Sequence, residues 1–158
     1  MATENADYTV TPTPYPATTK SSSTDISSIS TTAKTHYFAD KILITITQNG
    51  KLAHWVHVPL DISQTDGSLT SNPYLEQDDD VPSSELLPIH HLTATTILGG
   101  TVPELEVLGQ TLATQIASVI VQRDEREKRM VVIGMGLEKS MSGREEFSEL
   151  VGLVLGVL

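Results

Sequence analysis

The dipeptide Asn49-Gly50 most constrains how this chain can fold, because it joins two β-forming runs by a very short connection. The run before it reads KILITITQ, and the run after it reads KLAHWVHVPL. Asn-Gly readily adopts positive φ at both central positions of a type I′ turn, the tight turn that connects antiparallel neighbours. The sequence therefore predicts a β-hairpin centred on residues 49–50.

A two-residue turn also determines which side chains share a face of the hairpin, because successive side chains of a strand alternate. One face is predicted to carry Ile42, Ile44, Ile46, Ala53, Trp55 and His57. Neither face is charged, so both should be at least partly covered. The first face would bury the larger apolar area and is the predicted core. The second is the predicted partner surface, with candidate contacts at Leu43, Thr45, Leu52, His54 and Val56.

Two amphipathic helices are predicted in the C-terminal half. The tetrapeptides TVPE at 101–104 and SGRE at 142–145 match the capping box that starts a helix. Apolar residues then recur at helical spacing through about residue 122, and again from 147 to 155. Strand-like runs, TTAKTHYF, HHLTATTIL and MVVIGM, complete the pattern. This order favours an α+β fold, a mainly antiparallel sheet with two amphipathic helices packed on it.

Composition separates one folded domain from two low-complexity segments. Residues 1–29 are dominated by Thr, Ser, Pro and Ala, which predicts a disordered tail. Residues 61–88 hold seven acidic residues and no basic one, which predicts a flexible acidic loop. The chain of 158 residues is long enough for one core, so residues 30–158 are predicted to form a single α+β domain around that loop.

Charge and cysteine content argue against several function classes. The formal net charge of −10 disfavours nucleic acids and anionic membranes as partners. The chain has no cysteine, which excludes disulfides, thiol catalysis and cysteine-ligated zinc, and suits a reducing compartment. The apolar stretch 150–158 is far shorter than the roughly 20 residues of a spanning helix, so we expect core rather than a membrane anchor.

The glycine-rich loop at 134–143 lies between a strand and a helix, where phosphate sites are often built. A Walker A loop needs glycine before Lys-Ser, but Glu138 stands there, and the dinucleotide fingerprint fails at Lys139. We therefore predict a structural turn and no cofactor. A small nucleotide- or metabolite-binding module using this loop is the alternative.

Histidines and nucleophiles give no catalytic or metal pattern. His54 and His57 are three residues apart on a strand and point to opposite faces. A composite zinc site with His90 or His91 is a minor alternative to ordinary histidines. No nucleophile, base and orienting acid occur in a supporting motif, so the sequence predicts no enzyme and no bound metal.

Three stretches resemble the proteasome assembly chaperone 3 family: ILITITQNGKL, LTATTILGGTVPELEVLGQTLATQI and VVIGMGLEKSMSG. With the last helix, the similarity covers about residues 30–60 and 88–158. The resemblance implies a non-catalytic, cytoplasmic and also nuclear chaperone for the α-ring of the 20S proteasome. It implies a heterodimer with a proteasome assembly chaperone 4-like subunit, binding to α-subunits, and a contact surface at Lys139, Ser140 and Met141. A purely structural subunit of a larger complex is a further alternative.

Overall fold

The computed structural model describes residues 17–61 and 92–158. Within these ranges the strands are β1 (Thr18–Ile26), β2 (Ile29–Tyr37), β3 (Lys41–Gln48), β4 (His54–Val58), β5 (Thr95–Leu98) and β6 (Met130–Gly136). The α-helices are α1 (Pro103–Arg123) and α2 (Arg144–Leu155), and a short 3-10 turn at Lys139–Ser142 precedes α2.

All six described strands form one sheet in the order β1-β2-β3-β6-β4-β5. Neighbouring strands are antiparallel except β3 and β6, which run parallel. Helix α2 lies over β1 and β2, whereas α1 lies over β4, β5 and β6 and touches α2. The predicted α+β fold, a mainly antiparallel sheet with two helices, is confirmed.

The turn at Asn49-Gly50 forms as predicted, but the hairpin does not. Asn49 and Gly50 have φ values of 53° and 69°, and the Lys51 N–H donates to the Gln48 carbonyl at 3.2 Å. Beyond that bridge the two runs separate, and β6 inserts between β3 and β4. The turn signal is local and fixes only the first residue pair. The apolar strand β6 gains a neighbour on both sides by taking the central place.

Insertion of β6 also changes the face assignment for β4. A hairpin through residues 49–50 would place Ile46 opposite Ala53, but the sheet aligns Ile46 with Met135 and Met135 with His54. This one-residue shift moves every β4 side chain to the other face. The prediction is right for the isoleucines of β3, which are buried, and wrong for β4. His54 and Val56 join the core, while Trp55 turns to the opposite face.

Part of the predicted N-terminal tail forms a β-strand. Residues Thr18–Ile26 pair with β2 along their whole length, and Ile26 is fully buried. Ser27 and Ser28, with φ values of 49° and 65°, form the turn between these strands. The prediction of disorder through residue 29 is therefore wrong for this strand, because Thr has high β propensity and one apolar residue anchors the edge. Residues 1–16, and 62–88 of the predicted acidic loop, lie outside the described ranges.

Both helices lie where predicted, although neither capping box forms. Val102 is the N-cap of α1 and Gly143 that of α2, and neither supplies a side-chain cap. The Ser142 hydroxyl donates to the Lys139 carbonyl instead, at 3.1 Å. Pro103 at the start of α1 and acidic residues in both first turns favour the helix N-termini. Neither described helix is long and apolar enough to cross a bilayer.

Candidate functional site: the open sheet face

The two helices cover one face of the sheet and leave the other uncovered by any described element. We call the uncovered surface the open sheet face. It is formed by alternate residues of the central strands, namely Leu43, Thr45, Thr47, Trp55, His57, Val132 and Gly134. The six residues with side chains are half-buried, and Gly134 is buried. A flat surface of this kind on a small domain suits contact with another protein.

Trp55 lies at the centre of the open sheet face, directly opposite Gly134 in the register of β4 and β6. A Cβ atom at Gly134 would approach the indole ring to 2.8 Å, so the ring rests on the backbone of the central strand. Glycine at this position therefore holds a large aromatic side chain against the sheet while leaving it half-exposed. Tryptophan in such a setting is typical of binding hot spots.

The rim of the open sheet face carries one exposed lysine and exposed apolar side chains. In one row across the sheet, exposed Lys34 stands opposite Thr45 and exposed Leu98 stands opposite Trp55. Leu52, close to the turn in sequence, is 41 % exposed. An uncharged centre with an exposed lysine and exposed leucines at its rim is compatible with the anatomy of protein–protein interfaces.

The predicted contacts on the hairpin divide between the two faces. Leu43 and Thr45 lie on the open sheet face, and Leu52 is exposed. Val56 is fully buried and His54 is only 7 % exposed, so neither can touch a partner in this fold. Their assignment to a contact surface is wrong, and its cause is the one-residue register shift that β6 imposes.

His54 is part of the contact between the sheet and α1. Its Nε2 lies 3.2 Å from Thr96 Oγ1, and its ring packs against Gly109, where a Cβ would come within 2.6 Å. Burial lowers the pKa of His54, an effect that nearby Glu106 partly opposes. A glycine in the middle of α1 therefore allows the helix to approach this histidine closely.

The turn before α2 exposes two of its three predicted contacts. Lys139 and Ser140 are exposed, whereas Met141 is fully buried and cannot be a contact. The buried side chain of Gln48 holds this turn by two hydrogen bonds. Its Oε1 accepts a hydrogen bond from the Glu138 N–H at 2.7 Å, and its Nε2 donates one to Thr31 Oγ1 at 3.0 Å. Sequence reasoning missed this role of Gln48. A glutamine following three isoleucines at inward positions of one strand is the signal that could have revealed it.

The loop at 134–143 does not offer the anion site of the alternative prediction. At the start of α2 the Glu146 carboxylate accepts a hydrogen bond from its own backbone N–H and another from the Ser27 hydroxyl, and both lower its pKa. A Cβ at Gly136 would collide with the Lys51 carbonyl, so this glycine serves close packing between chain segments. The helix N-terminus thus already holds a carboxylate, which disfavours phosphate binding.

Metal ligands do not cluster in the described part of the chain. Residues 17–61 and 92–158 contain no group of three His, Asp or Glu residues placed to hold an ion. His54 and His57 point to opposite faces of β4, as the sequence predicts. His90 and His91, the other members of the zinc alternative, lie outside the described residues.

The fold and the candidate site define an α+β domain whose sheet has one helix-covered and one open face, and the open face has the features of a protein-binding surface. The model of the family described as proteasome assembly chaperone 3 matches residues 44–154, well over half of the chain. The chain therefore belongs to the proteasome assembly chaperone 3 family, as the sequence resemblance predicts, and its role is that of a proteasome assembly chaperone.

Comparison with solved structures agrees with the fold of this family. A chain from the crystal structure of a novel chaperone complex for yeast 20S proteasome assembly superposes with a TM-score of 0.52. The match covers 88 % of this chain and 97 % of that chain at 14 % identity. No curated protein matches the sequence. At this identity the neighbour supports the architecture of the sheet and helices.

Proposed function

We propose that this protein is a non-catalytic chaperone for the α-ring of the 20S proteasome that pairs with a proteasome assembly chaperone 4-like subunit and binds α-subunits. The observation that carries the proposal is the open sheet face, with Trp55 held against Gly134 at its centre. Membership of the chaperone family supports the assembly role. A chaperone complex as the structural neighbour is consistent with a paired subunit.

The size of the open sheet face suits a partner of similar fold. Six strands spaced about 4.8 Å apart and about 20 Å long present roughly 500 Å² of projected surface. Side-chain relief increases the accessible area, and stable complexes bury about 800 Å² on each partner. A second sheet laid on this face would cover Leu43, Trp55 and Val132 together, as sheets pack in sandwiches.

The absence of catalysis and the cellular location are parts of the same proposal. The buried histidine, His54, packs between β4 and α1 and lies within hydrogen-bond distance of Thr96, so it serves the fold rather than a reaction.

We place the chaperone in the cytoplasm and also in the nucleus. The cysteine-free sequence suits such reducing compartments. Microscopy of a tagged chain tests the location, and a strictly extracytoplasmic signal would contradict it.

Affinity capture from the organism's own cells tests the assembly role. We expect the chain to bring down a chaperone of similar fold together with α-subunits that lack mature β-subunits. Capture of complete proteasomes alone, or of neither class of protein, would contradict the proposal.

Charging the open sheet face tests the position of the partner. Leu43→Glu should abolish co-purification of the partner chaperone, because it places a charge in the desolvated centre of the interface. The matched control is Gly152→Glu, a helical position that is exposed and has open space around it. Circular dichroism should show both variants folded. If Leu43→Glu retained full partner binding, the interface would lie elsewhere.

A further inference from the structure

The turn at Asn49-Gly50 combines two residues that can react with each other. The amide carbon of an asparagine side chain, Cγ, can be attacked by the backbone nitrogen of the next residue, which closes a five-membered ring. A side chain on that next residue obstructs the attack, so glycine, which has no Cβ, permits it best. Asn49 is the only asparagine of the chain that precedes glycine, since Asn5 precedes alanine and Asn72 precedes proline.

Both residues of the turn are accessible to the water that the reaction needs. Asn49 and Gly50 are exposed, and a Cβ built at Gly50 would meet nothing within 4 Å. Within residues 17–61 and 92–158, no hydrogen bond engages the Asn49 side chain or the Gly50 N–H. The attacking nitrogen and the attacked carbon therefore have no bond to a neighbour that must first be broken.

The turn can also change shape without disturbing the sheet. The Lys51 N–H donates to the Gln48 carbonyl at 3.2 Å, and the described pairing between the two runs ends at this bridge. The two residues after Lys51 belong to no strand. Breaking one hydrogen bond thus frees Asn49 to leave its positive φ and bring Cγ to the Gly50 nitrogen, a local opening that costs far less than global unfolding.

We infer that Asn49 is a site of spontaneous covalent modification in the folded chain, at which the side-chain amide is lost as ammonia. The Gly50 nitrogen loses its proton to hydroxide and forms a bond to Cγ, while the bond between Cγ and Nδ2 breaks. The proton returns through water to the leaving nitrogen, which departs as ammonia and leaves a succinimide ring. Water then opens the ring at either carbonyl and gives aspartate or isoaspartate at position 49.

The isoaspartate product changes the turn more than the aspartate product does. Both add a carboxylate, but isoaspartate also places an extra main-chain carbon between residues 49 and 50. The bridge from Gln48 to Lys51 encloses only two residues, so the longer link should break it. The Lys51 carbonyl packs against Gly136, where a Cβ would collide with it, so the change reaches the end of β6. This consequence does not depend on the proposed function.

Ageing the purified full-length chain in neutral buffer tests the inference. Mass spectrometry of proteolytic peptides should find the change from amide to acid at Asn49 before Asn5, at a rate that rises in proportion to the hydroxide concentration. Labelling by an isoaspartate-specific methyltransferase should identify the isoaspartate. Asn72 is the control within the same chain, because the nitrogen of the following proline carries no proton and cannot close the ring.

The same chain unfolded in guanidinium chloride measures how far the fold protects the turn. We expect the folded chain to react within about tenfold of the unfolded rate, which corresponds to an opening cost of at most about 1.4 kcal/mol. Stronger protection than this, or earlier reaction at Asn5 than at Asn49, would overturn the inference.

Hydrogen exchange of the Lys51 N–H tests the consequence for the turn. This amide should exchange faster in chains that carry isoaspartate than in fresh chains, because its bond to the Gln48 carbonyl is lost. Asn49→Gln, aged in parallel, should keep its amide and its exchange rate, since attack on the longer side chain closes a six-membered ring more slowly. Equal exchange in modified and fresh chains would show that the bridge survives and would overturn this part of the inference.

Discussion

The two faces of the sheet differ in what covers them and in what their residues do. On the helix-covered face, Ile44, Ile133 and Val56 form one row across three strands and are fully buried. One position further along the same strands, Gly134 supports a half-exposed Trp55 on the open sheet face. Alternate residues of one strand thus stabilise the isolated chain, while their neighbours form the apolar surface on which we propose that the partner binds.

The largest expected effect on the free energy of unfolding comes from truncating a core side chain on the helix-covered face. Ile44→Ala should lower the free energy of unfolding by roughly 2–5 kcal/mol, because it leaves a cavity beneath the helices. Leu43→Ala, the adjacent residue on the open sheet face, should cost less than about 1 kcal/mol. Urea unfolding of the isolated chain measures both. Similar costs for the two substitutions would show that the faces are equally buried in solution.

Two glycines that each pack against a ring test how tightly the two faces of the sheet are packed: Gly109 lies against His54 on the helix-covered face, and Gly134 lies against Trp55 on the open sheet face. Gly109→Ala should destabilise by roughly 1–3 kcal/mol, because the new methyl group meets the buried ring of His54. This figure is the net change in the free energy of unfolding. The steric cost is expected to exceed the gain of about 1 kcal/mol that alanine brings over glycine in a helix interior. Gly134→Ala should cost less, since Trp55 can turn toward solvent. Its tryptophan fluorescence should shift to the red, and an unchanged spectrum would contradict the packing of the ring on Gly134.

The smallest expected effect is a pH dependence that belongs to the covered face. Burial lowers the pKa of His54 in the folded state, so the unfolded chain takes up this proton more readily. The stability that neutral His54 contributes is therefore fully present above about pH 6.5, the ordinary pKa of histidine. It falls as the pH drops through the lower pKa that His54 has in the folded chain. Unfolding curves measured across this range should show the loss. NMR titration of the His54 ring in the folded chain checks the cause, and a midpoint above that of free histidine would contradict it.

The fold class was predictable because it rests on periodicity within single elements. The apolar spacing of α1 and α2 and the β-rich runs around Asn49-Gly50 each identify an element without reference to its neighbours. The register of β4 was not predictable in this way. It depends on the insertion of β6, which lies far along the sequence, and the turn at 49–50 favours the wrong pairing.

For the predicted contacts on the hairpin, the face of the sheet was predictable only on β3, and their binding role stays a prediction. Leu43 and Thr45 lie on the face opposite the buried isoleucines, as predicted, because β3 keeps the same alternation whether its neighbour is β4 or β6. Strand β1 was missed because a Ser- and Thr-rich segment has few apolar residues, and its order depends on pairing with β2 and on buried Ile26.

The central position of β6 has a consequence for how the chain folds during synthesis. Strands β3 and β4 leave the ribosome long before residue 130, when the strand that will separate them has not been made. In that interval the Asn49-Gly50 turn favours direct pairing of the two strands, in a register that exposes His54 and places Trp55 with the isoleucines. We expect nascent chains ending before β6 to hold this non-native hairpin, detectable by the emission of Trp55 in arrested fragments. If that hairpin forms, it must open to admit β6 before the native sheet is complete, and we expect this non-local step to slow folding.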